Sequence, residues 1–345
     1  MRLRPLFLVA SIVVAGSSFA QAKPDFGNYN AITAKRLRAH LTFIAHDLLE
    51  GRDTPSRGLD IAAEYIAAQM KLSGLEPGGV DGTYFQPFPL PNPTNAKPAP
   101  TARNVVAILK GSDPKLSAEY VAIGSHYDHV GIMGSGDGDR IFNGADDDGS
   151  GTVAMIEMAH ALGAGKKPKR SVIFVWHAAE EKGLWGSDYF TKNPTVPIKS
   201  IVAQLNIDMI GRSKPAGNTN PANKMLTSQD GIYVIGSRKL SNELGNVVAN
   251  VNKQLFDLNY DYHYDAPNDP EGLYGRSDHY NYAKLGIPIA FFFDGVHEDY
   301  HQVGDEAHKI DYAKMERISR TIFATAWTLA NRPNRPKVDA KVEGK

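Results

Sequence analysis

The chain has 345 residues and no cysteine, and its 38 basic and 38 acidic side chains cancel. A net charge near zero argues against a nucleic-acid or membrane-surface partner, and the lack of cysteine excludes disulfides and a lipid-anchoring thiol. The length is enough for one large α/β domain.

The first 22 residues have the pattern of a secretory signal peptide. Arg2 and Arg4 precede a short apolar run at 6–15, and small residues follow at Ala20 and Ala22. The run is too short to span a bilayer, and the order of charge, apolar core and small residues fits a cleaved signal better than a buried helix. We therefore expect an exported protein, periplasmic or secreted, without a membrane anchor and with about −2 formal charge after cleavage.

Apolar residues at helical spacing predict helices, and continuous runs rich in Val, Ile and Phe predict strands buried on both faces. In chain order, the predicted elements are helices at 31–48 and 58–74, strands at 104–111 and 120–126, a helix at 149–163, strands at 171–178, 200–208 and 232–236, a helix at 238–256, a strand at 287–293 and a helix at 311–330. This alternation predicts an α/β fold with three αβα layers and a central mixed, mostly parallel sheet.

The chain shows no linker or repeat that would divide it. The Pro-rich stretch 89–104 is a predicted loop, and 213–224 is a predicted surface insertion. We predict a single domain over residues 23–332 and a flexible polar tail over 333–345.

The stretch GADDDGSGTVAMIE, residues 144–157, has nearly the spacing of an EF-hand calcium loop. An EF-hand needs a helix leading into its first ligand, but glycines fill the approach to Asp146. The apolar pattern also places Glu157 well inside the following helix, so the loop is too short for calcium. The three aspartates need another explanation.

Acidic and imidazole side chains follow several predicted strands, where open α/β sheets bind ligands. His126 and Asp128 end one strand, and Glu180 and Glu181 follow the next. Asp128 could accept the second N–H of a metal-bound histidine, although such pairs are also common without function. The two glutamates are either a solvated helix start or a metal ligand beside a general base.

Asp208 ends an otherwise apolar run, where a charge is costly unless it is paired or metal-bound, and His301 lies after the last strand. Two imidazoles and three carboxylates can hold two divalent ions if one carboxylate bridges, and nitrogen and oxygen donors favour zinc. The predicted ligand set is His126, Asp147, Glu181, Asp208 and His301.

Six motifs in order resemble the co-catalytic di-zinc aminopeptidases of the MH clan of zinc exopeptidases, in their secreted bacterial leucyl-type branch. They are GSHYDHVG, NGADDDGSG, AAEEKGLWGS, NIDM, GRSDHYNY and DYHQVGDE, with a weaker match at 51–67. The resemblance implies that Asp147, the middle aspartate, bridges two zinc ions per chain. One zinc would also bind His126 and Asp208, and the other Glu181 and His301.

The same resemblance implies the catalytic groups. Glu180 matches the general base, which takes a proton from a zinc-bridging water and returns it to the leaving amine. Asp128 matches the residue behind the histidine ligand, and Tyr300 matches a tyrosine that polarises the scissile carbonyl in some members. Asp278 matches a position lining the site. The expected partners are peptide substrates.

Three other functions stay open beside the aminopeptidase. They are another zinc exopeptidase, such as a carboxypeptidase or dipeptidase, a glutaminyl cyclase-like acyltransferase, and a binding protein without activity. The segment 89–115 leaves no room for the protease-associated insert usual in the carboxypeptidases, and all five ligand positions are present. Phe291–Phe293 and Trp185 are either pocket or core residues, and Arg276 could meet a peptide carboxylate.

Overall fold

A computed structural model describes residues 24–266 and 268–339. The predicted signal peptide at 1–22 and residues 340–345 of the predicted tail lie outside the described residues. Over the described ranges, none of the helices combines the length and apolar character needed to cross a membrane.

The helices and strands follow the predicted order, with additional short elements. The helices are α1 (Ala34–Ile44), α2 (Arg57–Leu72), α3 (Gly149–Gly163), α4 (Trp185–Lys192), α5 (Asn242–Leu255), α6 (His279–Ala283) and α7 (Tyr312–Asn331). The strands are β1 (Glu76–Pro77), β2 (Phe85–Pro89), β3 (Thr101–Leu109), β4 (Tyr120–His126), β5 (Gly131–Ile132), β6 (Ile141–Phe142), β7 (Ser171–His177), β8 (Ile201–Ile207), β9 (Gly231–Ile235), β10 (Asn259–Asp261) and β11 (Ile289–Phe293).

The main sheet is mixed, and its centre is parallel. Its order is β1-β3-β7-β4-β8-β11-β9-β10, with β2 paired to β3. The neighbours β7, β4, β8 and β11 run parallel to one another, while β3 and β9 join this centre in antiparallel fashion. The carboxyl ends of four adjacent strands therefore meet at one edge of the sheet.

Helices cover the sheet on both faces, which explains why the central strands are apolar throughout. Val105, Ile123 and Phe174 belong to the core under α1, α2, α3, α5 and α7. The residues next to them in each strand face the smaller core under α4 and α6. Successive side chains of a strand point to opposite faces, so both sets must be apolar. The predicted three-layer α/β fold is confirmed.

The described part of the predicted tail, residues 333–339, makes hydrogen bonds to the domain. The backbone N–H of Asp339 donates to the carbonyl of Leu240, and its carboxylate accepts the backbone N–H of Asn242. Arg335 forms an ion pair with Glu119 at 3.0 Å. The division into signal, domain and tail stays a prediction.

Candidate metal centre

The predicted site residues meet at the carboxyl edge of the parallel strands. His126 is the last residue of β4, Asp208 follows β8 directly, and Glu181 follows β7. Asp147 lies just before α3, and His301 lies in the loop after β11. The pairing order of the strands, which is not local in sequence, brings these five side chains together.

Two groups of possible metal ligands share one carboxylate. Nε2 of His126 lies 3.3 Å from Oδ1 of Asp147 and 3.6 Å from Oδ1 of Asp208. Nε2 of His301 lies 3.0 Å from Oδ2 of Asp147 and 3.1 Å from Oε2 of Glu181. Each oxygen of Asp147 thus faces a different group, which is the arrangement that a bridging carboxylate requires. Both groups could hold a metal ion, and a ring nitrogen of His129 lies close enough to the second group to count among its possible ligands.

The aspartates beside Asp147 shape the turn that presents it. Asp148 caps α3 by accepting the N–H of Gly151, and its other oxygen accepts the N–H of His126. Asp146 accepts the N–H of Gly211 at 2.7 Å. These bonds tie the turn to β4 and to the segment after β8, so the position of Asp147 is fixed relative to the strand ends.

Glu157 confirms that the stretch is not a calcium loop. It lies within α3 and binds Arg36 at 2.6 Å and His40 at 2.9 Å, on the side of α3 that packs on α1. The twelfth position of the supposed loop therefore belongs to the interface between two helices.

Asp128 contacts His126, as the sequence predicts, and also Glu180. Its carboxylate lies 3.7 Å from Nδ1 of His126, whose closer partner, at 3.1 Å, is the backbone carbonyl of Asp128. The carboxylate accepts the backbone N–H of Glu180 at 3.1 Å and the hydroxyl of Thr54 at 3.1 Å. Asp128 thus positions the histidine and the glutamate at the same time.

Crowding of carboxylates marks this edge as a place for cations. Burial raises the pKa of Glu180 well above its usual range, and the charges of Asp208, Asp278 and Glu181 raise it further. Burial also raises the pKa of Asp208, with a contribution from Asp147. Divalent cations would relieve this repulsion, and the donor set of imidazoles and carboxylates fits zinc.

A cavity opens directly above the two groups. Its apolar wall is formed by Met209, Leu273, Phe291, Phe293 and Val296. Tyr300 and Arg276 also line it.

The aromatic residues named from the sequence divide between this wall and the core. Phe291 and Phe293 line the cavity, whereas Phe292 points to the opposite face of β11 and is fully buried. Trp185 packs against the main core. Alternation along β11 explains why only two of the three phenylalanines reach the site.

Asp278 does not face the two ligand groups directly. Its carboxylate lies 3.3 Å from Nδ1 of His177, and both side chains are fully buried. It acts on the site through charge, since it is among the groups that raise the pKa of Glu180.

His279, next to Asp278, gives the stability of the protein a specific pH dependence. Nε2 of its buried ring donates to the carbonyl of Tyr274 at 2.8 Å, and the ring stacks on Phe291. Burial lowers the pKa of His279 from 6.5 to about 4. The folded protein keeps this histidine neutral, whereas the unfolded chain protonates it below pH 6.5. Its contribution to the free energy of unfolding is therefore fully present above pH 6.5 and is lost as the pH falls toward 4.

We expect His279→Phe, which keeps the stacking but cannot titrate, to flatten the pH dependence of unfolding. Between pH 6.5 and 4 the free energy of unfolding of the metal-free variant should fall less steeply than that of the wild type, by up to about 1.4 kcal/mol per pH unit. Urea unfolding of both proteins at pH 7.5, 6 and 5 measures this difference. Parallel curves for the two proteins would contradict it.

Several residues that contact the site were not predicted from the sequence. Arg52 donates to backbone carbonyls around the site, and Asp305 accepts the backbone N–H groups of Asp146 and Asp147. Ser277 donates to Asp208 at 2.7 Å, and His129, which is not in the predicted ligand set, lies 2.9 Å from Glu181. His129, Ser277 and Asp305 lie inside the quoted motifs, and Arg52 lies in the weaker match at 51–67. Their position in a motif could have marked them as site residues, but nothing in the sequence indicated which residues they contact.

The sequence matches a known family and several curated relatives. A model described as Peptidase family M28 matches residues 104–326. A probable zinc metalloprotease of Pyrenophora tritici-repentis is 28% identical over 87% of this chain and 74% of its own length. A probable leucine aminopeptidase of Arthroderma benhamiae is 29% identical over 66% of this chain, which spans 57% of that relative.

Solved structures share the fold at lower identity. The LapA aminopeptidase of Legionella pneumophila superposes with a TM-score of 0.66 at 22% identity, over 89% of this chain and 74% of its own. An aminopeptidase from Aneurinibacillus sp. strain AM-1 superposes with a TM-score of 0.66 at 18% identity, over 91% of this chain and 97% of its own. A glutaminyl cyclase of Porphyromonas gingivalis superposes with a TM-score of 0.63 at 17% identity, over 86% of this chain and 98% of its own. These likenesses are to the fold.

Proposed function

The chain belongs to peptidase family M28, and on this basis we propose that it is a zinc-dependent aminopeptidase that removes N-terminal residues from peptides. The observation that carries the proposal is the shared carboxylate of Asp147, whose two oxygens face two separate groups of ligands. Two zinc ions per chain would occupy these groups. The names of the relatives, a zinc metalloprotease and a leucine aminopeptidase, support the same activity.

Zinc bound at the two groups would supply Lewis acidity, lowering the pKa of a water molecule and polarising the scissile carbonyl. Glu180 belongs to neither group but lines the same cavity. Burial raises its pKa, which makes it a stronger base than a carboxylate in water. Glu180 accepts a proton from the attacking water and returns it to the amine that leaves.

Tyr300 provides a neutral hydroxyl beside the reacting carbonyl. It lines the cavity, and its ring stacks on His301 with centroids 4.1 Å apart. Burial and the charges of Asp147 and Glu181 raise the pKa of Tyr300, so its O–H keeps its proton and can donate to a developing oxyanion. The apolar wall of the cavity would hold the side chain of the first residue.

A panel of tripeptides tests this function. The zinc-loaded protein should release the first amino acid from peptides with a free N-terminus and release nothing from their acetylated forms. Removal of zinc by a chelator should abolish release, and added zinc should restore it. Amino-acid analysis of timed samples measures the release, with the chelator-treated protein as the control.

The other outcomes each name a different function. Release of the C-terminal residue from acetylated peptides would make the protein a carboxypeptidase. The glutaminyl cyclase fold neighbour makes conversion of an N-terminal glutamine to pyroglutamate the next reaction to assay if no peptide is cleaved. The proposal includes export, which the pattern of residues 1–22 supports. The N-terminal sequence of protein from its native source tests the export.

A further inference from the structure

His129 lies beside the second ligand group but does not belong to the predicted ligand set. It follows β4 in the loop after Asp128, and its side chain is fully buried. Nδ1 of its ring lies 2.9 Å from Oε1 of Glu181 and 3.7 Å from Oδ2 of Asp147. The ring of His301 packs edge-on against it, with centroids 5.4 Å apart.

The surrounding backbone holds this ring in place. The backbone N–H of His129 donates to the carbonyl of Arg52 at 3.2 Å. Gly144 lies against the ring, and a Cβ at that position would come within 2.5 Å of two ring atoms. Only glycine leaves room there, and its positive φ of 55° is also one that other residues rarely adopt. The imidazole therefore has little freedom to turn away from Glu181.

The hydrogen bond assigns the proton of the ring. Glu181 can only accept, so Nδ1 of His129 carries the hydrogen and donates it. Nε2 is buried and has no hydrogen-bond partner among the described residues, which suits a bare lone pair better than a second N–H. His129 thus acts as a hydrogen-bond donor toward one oxygen of the carboxylate.

The first ligand group has a matching arrangement. The hydroxyl of Ser277 donates to Oδ2 of Asp208 at 2.7 Å, and Oδ1 of Asp208 faces His126. In the second group, His129 binds Oε1 of Glu181, and Oε2 faces His301. Each terminal carboxylate has one oxygen held by a buried donor and the other directed to its ligand group.

We propose that His129 is a positioning residue that holds Glu181 as a one-oxygen ligand, so that binding of one of the two zinc ions depends on His129 and binding of the other does not. The inference rests on the proposed function for the presence of zinc. Donors that hold a metal ligand typically change metal affinity by 10–100-fold when removed. His129 controls the site of Glu181 and His301, and Ser277 controls the site of His126 and Asp208.

The experiment compares zinc binding to three variants by titration against a chromophoric chelator. His129→Asn keeps an N–H near the position of Nδ1, His129→Gln moves it toward the position of Nε2, and His129→Leu removes it. We expect the Leu and Gln variants to bind one zinc about 10–100-fold more weakly than the wild type and the other unchanged. The Asn variant should retain both affinities within about threefold.

Ser277→Ala serves as the matched variant at the first group. It should lower the affinity for one zinc ion, and the double variant with His129→Leu should have a lowered affinity for both. If the double variant still binds one zinc with wild-type affinity, the two donors act on the same metal and the inference is wrong. Thermal unfolding of the metal-free proteins distinguishes a folding defect from an effect on metal binding. The comparison of His129→Asn with His129→Gln, which both introduce a polar amide, remains informative even if His129→Leu does not fold.

Two further results would overturn the inference. Wild-type zinc affinities in both the Leu and Gln variants would show that Glu181 needs no support from His129. Loss of one zinc in the Asn variant, to the same extent as in the Leu variant, would make His129 a direct ligand. A wild-type protein that binds two zinc ions and releases no amino acid from peptides would refute the aminopeptidase and leave the role of His129 standing.

Discussion

Glu180→Gln should lower kcat for peptide hydrolysis by about 10²–10⁴-fold while zinc remains bound. The amide has the shape of the carboxylate but cannot take a proton from water. Glu180 belongs to neither ligand group, and the bond from its backbone N–H to Asp128 does not involve its side chain. The loss should therefore appear in kcat, with zinc content and unfolding midpoint near those of the wild type.

Glu181→Gln is the control one residue along the chain. Its carboxylate lies 3.1 Å from Nε2 of His301 in the second ligand group, so the change should reduce zinc binding as well as activity. Steady-state kinetics with zinc analysis of the same samples distinguishes the two variants. Near-normal turnover of Glu180→Gln would disprove its role as the base, and so would an activity loss explained by missing zinc.

Arg52→Met should destabilise the metal-free protein by more than about 4 kcal/mol. The guanidinium is fully buried and donates to four backbone carbonyls, those of Ile44, Tyr127, Asn143 and Gly144. Burial lowers its pKa to about 10, so it stays charged at neutral pH. Methionine fills much of the volume but leaves the four carbonyls without their donor, and hydrogen bonds from a charged group contribute about 1.5–3 kcal/mol each.

The same contacts connect Arg52 to the site. Tyr127 lies between His126 and Asp128, and Gly144 precedes the aspartate run, so one guanidinium joins the segments that carry both ligand groups. We expect the variant to bind zinc more weakly as well. Urea unfolding of the metal-free proteins measures the stability, and the exposed Arg57→Met, with an expected change within about 0.5 kcal/mol, is the control. A loss below 1 kcal/mol for Arg52→Met would show that water replaces the guanidinium at these carbonyls.

The local pattern of the sequence predicted the central elements closely. The apolar run at 120–126 coincides with β4, and the helix predicted at 149–163 coincides with α3. These elements are buried on nearly all sides, so their residues are apolar for a reason visible in the sequence itself. Other elements were missed, among them β2, whose alternate residues face solvent, and α6, which is only five residues long.

The candidate ligands could be named from the sequence because each lies next to an apolar run or in a motif of charged residues. Asp208 is conspicuous at the end of β8, and the three successive aspartates are conspicuous before α3. Which carboxylate faces which imidazole was implied only by the resemblance. The distances from Asp147 to His126 and His301 now support it.

The sequence by itself therefore determined the fold class, the order of the central elements and the residues able to bind metal. Only the tertiary structure decided how the site is supported, by the guanidinium of Arg52, the carboxylate of Asp305, the hydroxyl of Ser277 and the imidazole of His129. The physical reason is that a strand or helix is specified by residues a few positions apart. These supporting bonds join parts of the chain that become neighbours only when β7, β4, β8 and β11 pair in their order.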